Sequence, residues 1–133
     1  MLEALRQEAD ALRIREFVNF PGFAPDLHER IRKATVYVSS SDYEGISNSM
    51  LEALALGLPV VCTDCPIGGS AMAITDRENG LLIPTGDTDA LAKCMAEIAG
   101  NPAFADRLSR NAEKARETFS LGRVTDMWER LLP

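Results

Sequence analysis

Four short apolar runs limit what this chain can fold into: Phe17–Phe20, Thr35–Ser39, Val60–Thr63 and Gly80–Pro84. The second is rich in β-branched and aromatic residues, as a buried strand should be. Between and after these runs lie stretches with helical signals. Leu2, Leu5, Ala9 and Leu12 recur at near-helical spacing within residues 2–13. Further helices are expected over 26–33, from the polar loop after Ser41 to Gly57 and Pro59, over 70–74, and then over 87–99, 103–118 and 121–132. Short apolar strands alternating with helices require parallel β-α-β crossovers and a sheet covered on both faces. The expected fold is α/β: a partial Rossmann-like parallel sheet of about four strands, flanking helices and a helical C-terminal end. Trp128, with Val124, Leu131 and Leu132 at helical spacing, reads most simply as a packing stripe.

The 133 residues suit one domain with a real core. A net charge of −6 without a basic stripe argues against nucleic acid and anionic membrane surfaces as partners. A phosphate ligand stays open, because helix N-termini bind anions without net positive charge. Cys62, Cys65 and Cys94 make an odd number, which suits a reducing cytosol better than a disulfide framework. No run approaches the roughly 18 apolar residues of a membrane span, and no signal-peptide centre opens the chain. The expected location is cytoplasmic.

The run from Ser39 to Pro59 carries the chemistry. It leaves a strand, crosses a polar loop and enters a helix at the carboxyl edge of the sheet, where open α/β sheets bind ligands. Glu44 lies in the loop and Glu52 in the expected first helical turn. Gly45 lets backbone approach a ligand, and Ser47, Asn48 and Ser49 supply small donors beside free helix N–H groups. Ser49-Met50-Leu51-Glu52 also fits a capping box, which would explain Glu52 alone but not Glu44 or the polar run between them. Together these residues form a cradle suited to a phosphorylated ligand, with carboxylates for sugar or ribose hydroxyls.

Other motifs have simpler readings. Cys62-Thr63-Asp64-Cys65 has CxxC spacing, but Cys94 and His28 are the remaining candidates for a zinc set, and Cys62 sits on a buried strand. Asp87-Thr88-Asp89 opens a helix, where acidic residues cap N–H groups. His28 reads as a surface residue. Gly68-Gly69 is a weak candidate for a second anion-binding turn, since no Walker lysine follows.

The run Ser39–Pro59 with Val60–Pro66, and then Asn79–Pro84 and Gly86-Asp87, resembles the C-terminal domain of group 1 retaining glycosyltransferases of the GT-B fold. Val18–Phe23 resembles that family's strand and turn beside the nucleotide base. Glu44 and Glu52, separated by seven residues, match its paired-glutamate signature. The resemblance implies that Glu44 meets donor-sugar hydroxyls near the transferring carbon. It further implies that backbone at Gly45, Ile46 and Ser47 meets the sugar or its phosphate, that Ser49 and Met50 face the diphosphate, that Glu52 holds the ribose, and that Gly22 and Phe23 contact the base. It implies hexosyl transfer from a nucleotide-diphosphate sugar without a metal or other cofactor, in bacterial polysaccharide or glycolipid assembly.

Family members also carry an N-terminal acceptor domain, and their C-terminal domain opens with two strands and an Arg/Lys pair gripping the phosphates. Residues 1–133 therefore read as a truncated donor-binding domain, inactive alone, whose first strand would re-pair beside the second or swap with another copy into a homodimer. Whether a parent protein sits at the inner membrane face stays open. The alternatives are a non-catalytic nucleotide or nucleotide-sugar binding module, and a structural or interaction domain on a Rossmann-like scaffold.

Overall fold

The computed structural model describes residues 1–132. Helices α1 (Leu2–Ala11) and α2 (Leu27–Ile31) precede strand β1 (Tyr37–Ser39), helix α3 (Asn48–Ala55) and strand β2 (Val60–Thr63). Helix α4 (Gly69–Ala73), strand β3 (Leu81–Ile83) and helices α5 (Thr88–Gly100), α6 (Pro102–Ala112), α7 (Ala115–Thr118) and α8 (Leu121–Glu129) follow.

The sheet is parallel in the order β1-β2-β3, with Tyr37 opposite Val60 and Cys62 opposite Leu82. The central strand, Val60–Thr63, is buried along its whole length, as its unbroken apolar run requires. Strand alternation sends Val60 and Cys62 into one cluster with Met50, Ala53 and Leu54 of α3. Val61 joins Leu81, Ile83, Ile98, Phe104 and Leu108 on the other side. Helix α3 thus covers one face and α5 and α6 cover the other. The α/β reading and the two covered faces hold.

Helix boundaries follow capping chemistry. Gly57 has φ +74°, and the bonds from Leu58 N to Ala53 O (3.0 Å) and Gly57 N to Leu54 O (2.9 Å) close α3 in a Schellman motif. Asp87 accepts from Ala90 N at 2.8 Å, so its role at the head of α5 is the capping one. Asn101 caps α6, with Pro102 at the first helical position.

Three expectations need correction. Phe17–Phe20 is not a strand: a 3₁₀ turn spans Arg15–Phe17, and the extended Val18 beyond it pairs with no described strand. A strand needs a neighbour for its backbone groups, and the first strand does not re-pair beside β1. The sheet accordingly has three strands where four were expected. The helix expected over 103–118 breaks into α6 and α7 at Glu113 and Lys114, where Lys114 N bonds Asn111 O in a tighter turn. The C-terminal stripe does not pack into a core. Trp128 is 65% exposed and lines a groove of about 500 Å³ with Phe119, Met127 and Leu131.

Cys62 and Cys65 are both buried as free thiols. Burial pushes the Cys62 thiol up to about 12, so it stays protonated and unreactive near neutrality.

Candidate functional site

The polar loop leaves β1 at the carboxyl edge of the sheet and is fixed from two sides. Thr63, the last residue of β2 and only 3% exposed, donates its hydroxyl to the Ser41 carbonyl at 2.5 Å. Gly69, the first residue of α4, lies against the loop backbone: a Cβ there would overlap the Gly45 carbonyl and come within 2.6 Å of Ile46 N.

The loop delivers the chain into α3 at Ser47, which is extended (φ −76°, ψ 120°) and is the N-cap residue. Its hydroxyl makes no capping bond. It pairs instead with Ser49 Oγ at 3.0 Å, and Ser49 Oγ pairs with the Tyr37 hydroxyl of β1 at 2.8 Å. The first helical bond runs from Leu51 N to Ser47 O at 3.1 Å. The hydroxyls that would cap the helix are thus engaged with one another. The N–H groups of Asn48, Ser49 and Met50 keep no intrahelical partner, which is the geometry that binds an anion.

This geometry removes the capping-box reading of Glu52. With Ser47 as the cap, Glu52 lies in the second turn, beyond reach of the first N–H groups. Its carboxylate instead meets His28 Nε2 of α2 at 3.1 Å, and its side chain is 44% exposed. Glu52 therefore serves no cap and keeps a solvent-facing carboxylate.

The other expected site residues fall as follows. Glu44 is half-buried and makes no ion pair or side-chain hydrogen bond among the described residues. Gly45 is half-buried, Ile46 is exposed, and Ser47 is buried. The Met50 side chain lies wholly in the core, so only its backbone N–H can serve a ligand. Gly22 has φ +67°, and Phe23 is 93% exposed with its ring unsupported. Phe23 lies five positions before His28, a span of at most about 18 Å, so α2's contact with Glu52 tethers this loop near the site.

At the same sheet edge, a recess of about 200 Å³ is lined by Ser40, Asp42, Thr63, Asp87 and Leu91 among others. Among the described residues, no group of three or more His, Cys, Asp or Glu side chains could hold a metal ion. Sequence reasoning missed Tyr37, Thr63 and His28, whose partners are 12 or more positions away. At Gly69 the structure adds a role to the candidate turn: a glycine that permits close backbone approach.

Comparison with known proteins agrees with this geometry. The family described as Glycosyl transferases group 1 matches residues 1–115. A putative glycosyltransferase of Bacillus subtilis, EpsD, is 35% identical over 118 residues, covering 89% of this chain and 30% of its own. The lipopolysaccharide core biosynthesis glycosyltransferase LpsE of Rhizobium meliloti is 33% identical over 132 residues, covering 96% and 37%. Among solved structures, Anabaena HepE in complex with UDP superimposes with a TM-score of 0.90 at 22% identity, covering 98% of this chain and 36% of that one. The chain thus spans about a third of the length of these proteins (30%, 37% and 36%). With a match over residues 1–115 and a parallel sheet carrying the paired glutamates at its carboxyl edge, the chain belongs to the group 1 glycosyltransferases.

Proposed function

We propose that this chain supplies the donor half of a retaining glycosyltransferase, which moves a hexosyl group from a nucleotide-diphosphate sugar to an acceptor held by another domain of a longer protein. Residues 1–133 are then the C-terminal nucleotide-sugar-binding domain. One observation carries this reading: the N–H groups of Asn48, Ser49 and Met50, which have no intrahelical partner, fall in the chain between two carboxylates, Glu44 and Glu52, that serve no cap.

In this arrangement the diphosphate sits on the α3 N-terminus, where the helix dipole offsets the charge that grows on the leaving group. This relieves the reaction of a divalent ion. Glu44 accepts hydrogen bonds from donor-sugar hydroxyls beside the transferring carbon, and Gly45, Ile46 and Ser47 present backbone to the sugar phosphate. Glu52 accepts from the ribose hydroxyls, and Gly22 and Phe23 border the base. Support for a uridine nucleotide comes from HepE, solved with UDP and with UDP-glucose. The names of LpsE and its relatives support surface-polysaccharide or glycolipid assembly as the setting. No helix among the described residues is long and apolar enough to cross a membrane.

A purified sample of the 133-residue chain titrated with UDP, then incubated with a panel of UDP- and GDP-sugars, tests this reading. The expected result is weak UDP binding, in the millimolar to high-micromolar range, without turnover. Turnover by this chain would overturn the need for an acceptor domain. Absence of UDP binding at tens of millimolar would overturn the donor role.

A further inference from the structure

We infer that Gly69 and Thr63 are positioning residues, and that the segment they bound is the ledge on which the Glu44–Ser47 loop rests. Two contacts from later in the chain, 22 or more positions further along, fix the loop's backbone between its strand and its helix. At one point Thr63, nine-tenths buried or more, holds the Ser41 carbonyl through a 2.5 Å hydrogen bond. At the other, Gly69 lies flush against the Gly45–Ile46 peptide, one residue beyond Glu44.

The character of the second contact separates it from ordinary close packing. A Cβ on Gly80 would also crowd its neighbours, at 2.6 Å from Val60 Cγ2 and 3.0 Å from Ile74 Cγ2. Those are methyls of buried core side chains, so the strain of a Cβ there falls on core packing and not on the loop. A Cβ on Gly69 would meet backbone, the Gly45 carbonyl and Ile46 N, and backbone moves only if the loop moves. The ledge itself is held firmly. Asp64 N bonds Ile83 O at 2.8 Å, Cys65 is buried, and Gly68 turns the chain at φ +73° with its N–H on Cys65 O at 3.1 Å. The compliant partner in a clash is therefore the loop, and with it Glu44. Displacements of about 1 Å in such groups are enough to cost roughly 100-fold in a reaction.

The effect on ligand affinity rests on the donor-site reading; the effect on loop geometry does not. The experiment compares amide NMR spectra and UDP titrations of wild type, Gly69→Ala, Thr63→Val, Thr63→Ser and Gly80→Ala. Gly69→Ala and Thr63→Val are expected to shift the resonances of residues 41–47 and to weaken UDP binding about 10-fold or more. Thr63→Ser, which keeps the hydroxyl, restores both. Gly80→Ala lowers the melting temperature but leaves UDP affinity within about twofold. If Gly69→Ala fails to fold, Thr63→Val decides, since it adds no bulk. Unchanged loop resonances in Thr63→Val and in a folded Gly69→Ala would overturn the inference, as would an equal loss of UDP affinity in Gly80→Ala. Should wild type bind no UDP, the donor reading fails, and the loop resonances alone decide the positioning role.

Discussion

Glu52→Ala is expected to weaken UDP binding by roughly 10- to 100-fold and to move the melting temperature by no more than a degree or two. The loss follows from the chemistry of the group. A carboxylate accepting from ribose hydroxyls makes charge-assisted hydrogen bonds, each worth about 1.5–3 kcal/mol when removed, and about 1.4 kcal/mol is tenfold in affinity. The small effect on stability follows from its place. Glu52 lies in the second turn of α3, its side chain is 44% exposed, and among the described residues it pairs only with an exposed histidine. Surface pairs of that kind contribute little, and alanine is the better helix former. Had Glu52 closed a capping box, the same substitution would have cost the helix as well. A parallel measurement of UDP affinity by calorimetry and of melting by circular dichroism separates the two cases.

Leu54→Ala lies at the opposite extreme. Leu54 has no exposed surface and packs with Met50, Leu58, Val60, Cys62, Ile74 and Ala112 beneath α3. Truncating it loses transfer free energy and leaves a cavity, a cost of about 2–5 kcal/mol. In a domain of this size that lowers the melting temperature by roughly 8–20 °C. Trp128→Ala removes a larger side chain yet shifts melting by only a degree or two, because that ring is 65% exposed over an open groove. The contrast separates the core beneath the helix that carries the site from the exposed C-terminal stripe. Thermal unfolding of the two variants beside wild type checks it, and a Trp128 variant as unstable as Leu54→Ala would place the core wrongly.

Much of this is legible in the sequence. Val60–Thr63 is apolar throughout and becomes a strand buried on both faces, and Gly57 ends α3 because its φ of +74° suits glycine. The helix start was harder to read. Ser47, Asn48 and Ser49 are all good caps, and the choice among them depends on Tyr37, a strand residue whose hydroxyl takes Ser49. That long-range bond moved the cap two residues upstream of the expected one and freed Glu52. Phe17–Phe20 has the composition of a strand, but composition supplies no partner, and this segment has none in the described sheet. Trp128 shows the same limit at the other end: helical spacing identified the stripe without saying what covers it. Gly69 is read from sequence as a turn residue, whereas its role in packing against Gly45 depends on two loops meeting in space.

The central claim is that the amides at the head of α3, between Glu44 and Glu52, cradle a nucleotide diphosphate. Amide NMR shifts of the isotope-labelled chain titrated with UDP test it most directly. The predicted result is saturable shifts concentrated at Gly45–Met50 and Glu52, abolished or greatly weakened in Glu52→Ala. Shifts confined to another surface, such as the recess beside Asp87 and Leu91, or no shifts at tens of millimolar UDP, would contradict it.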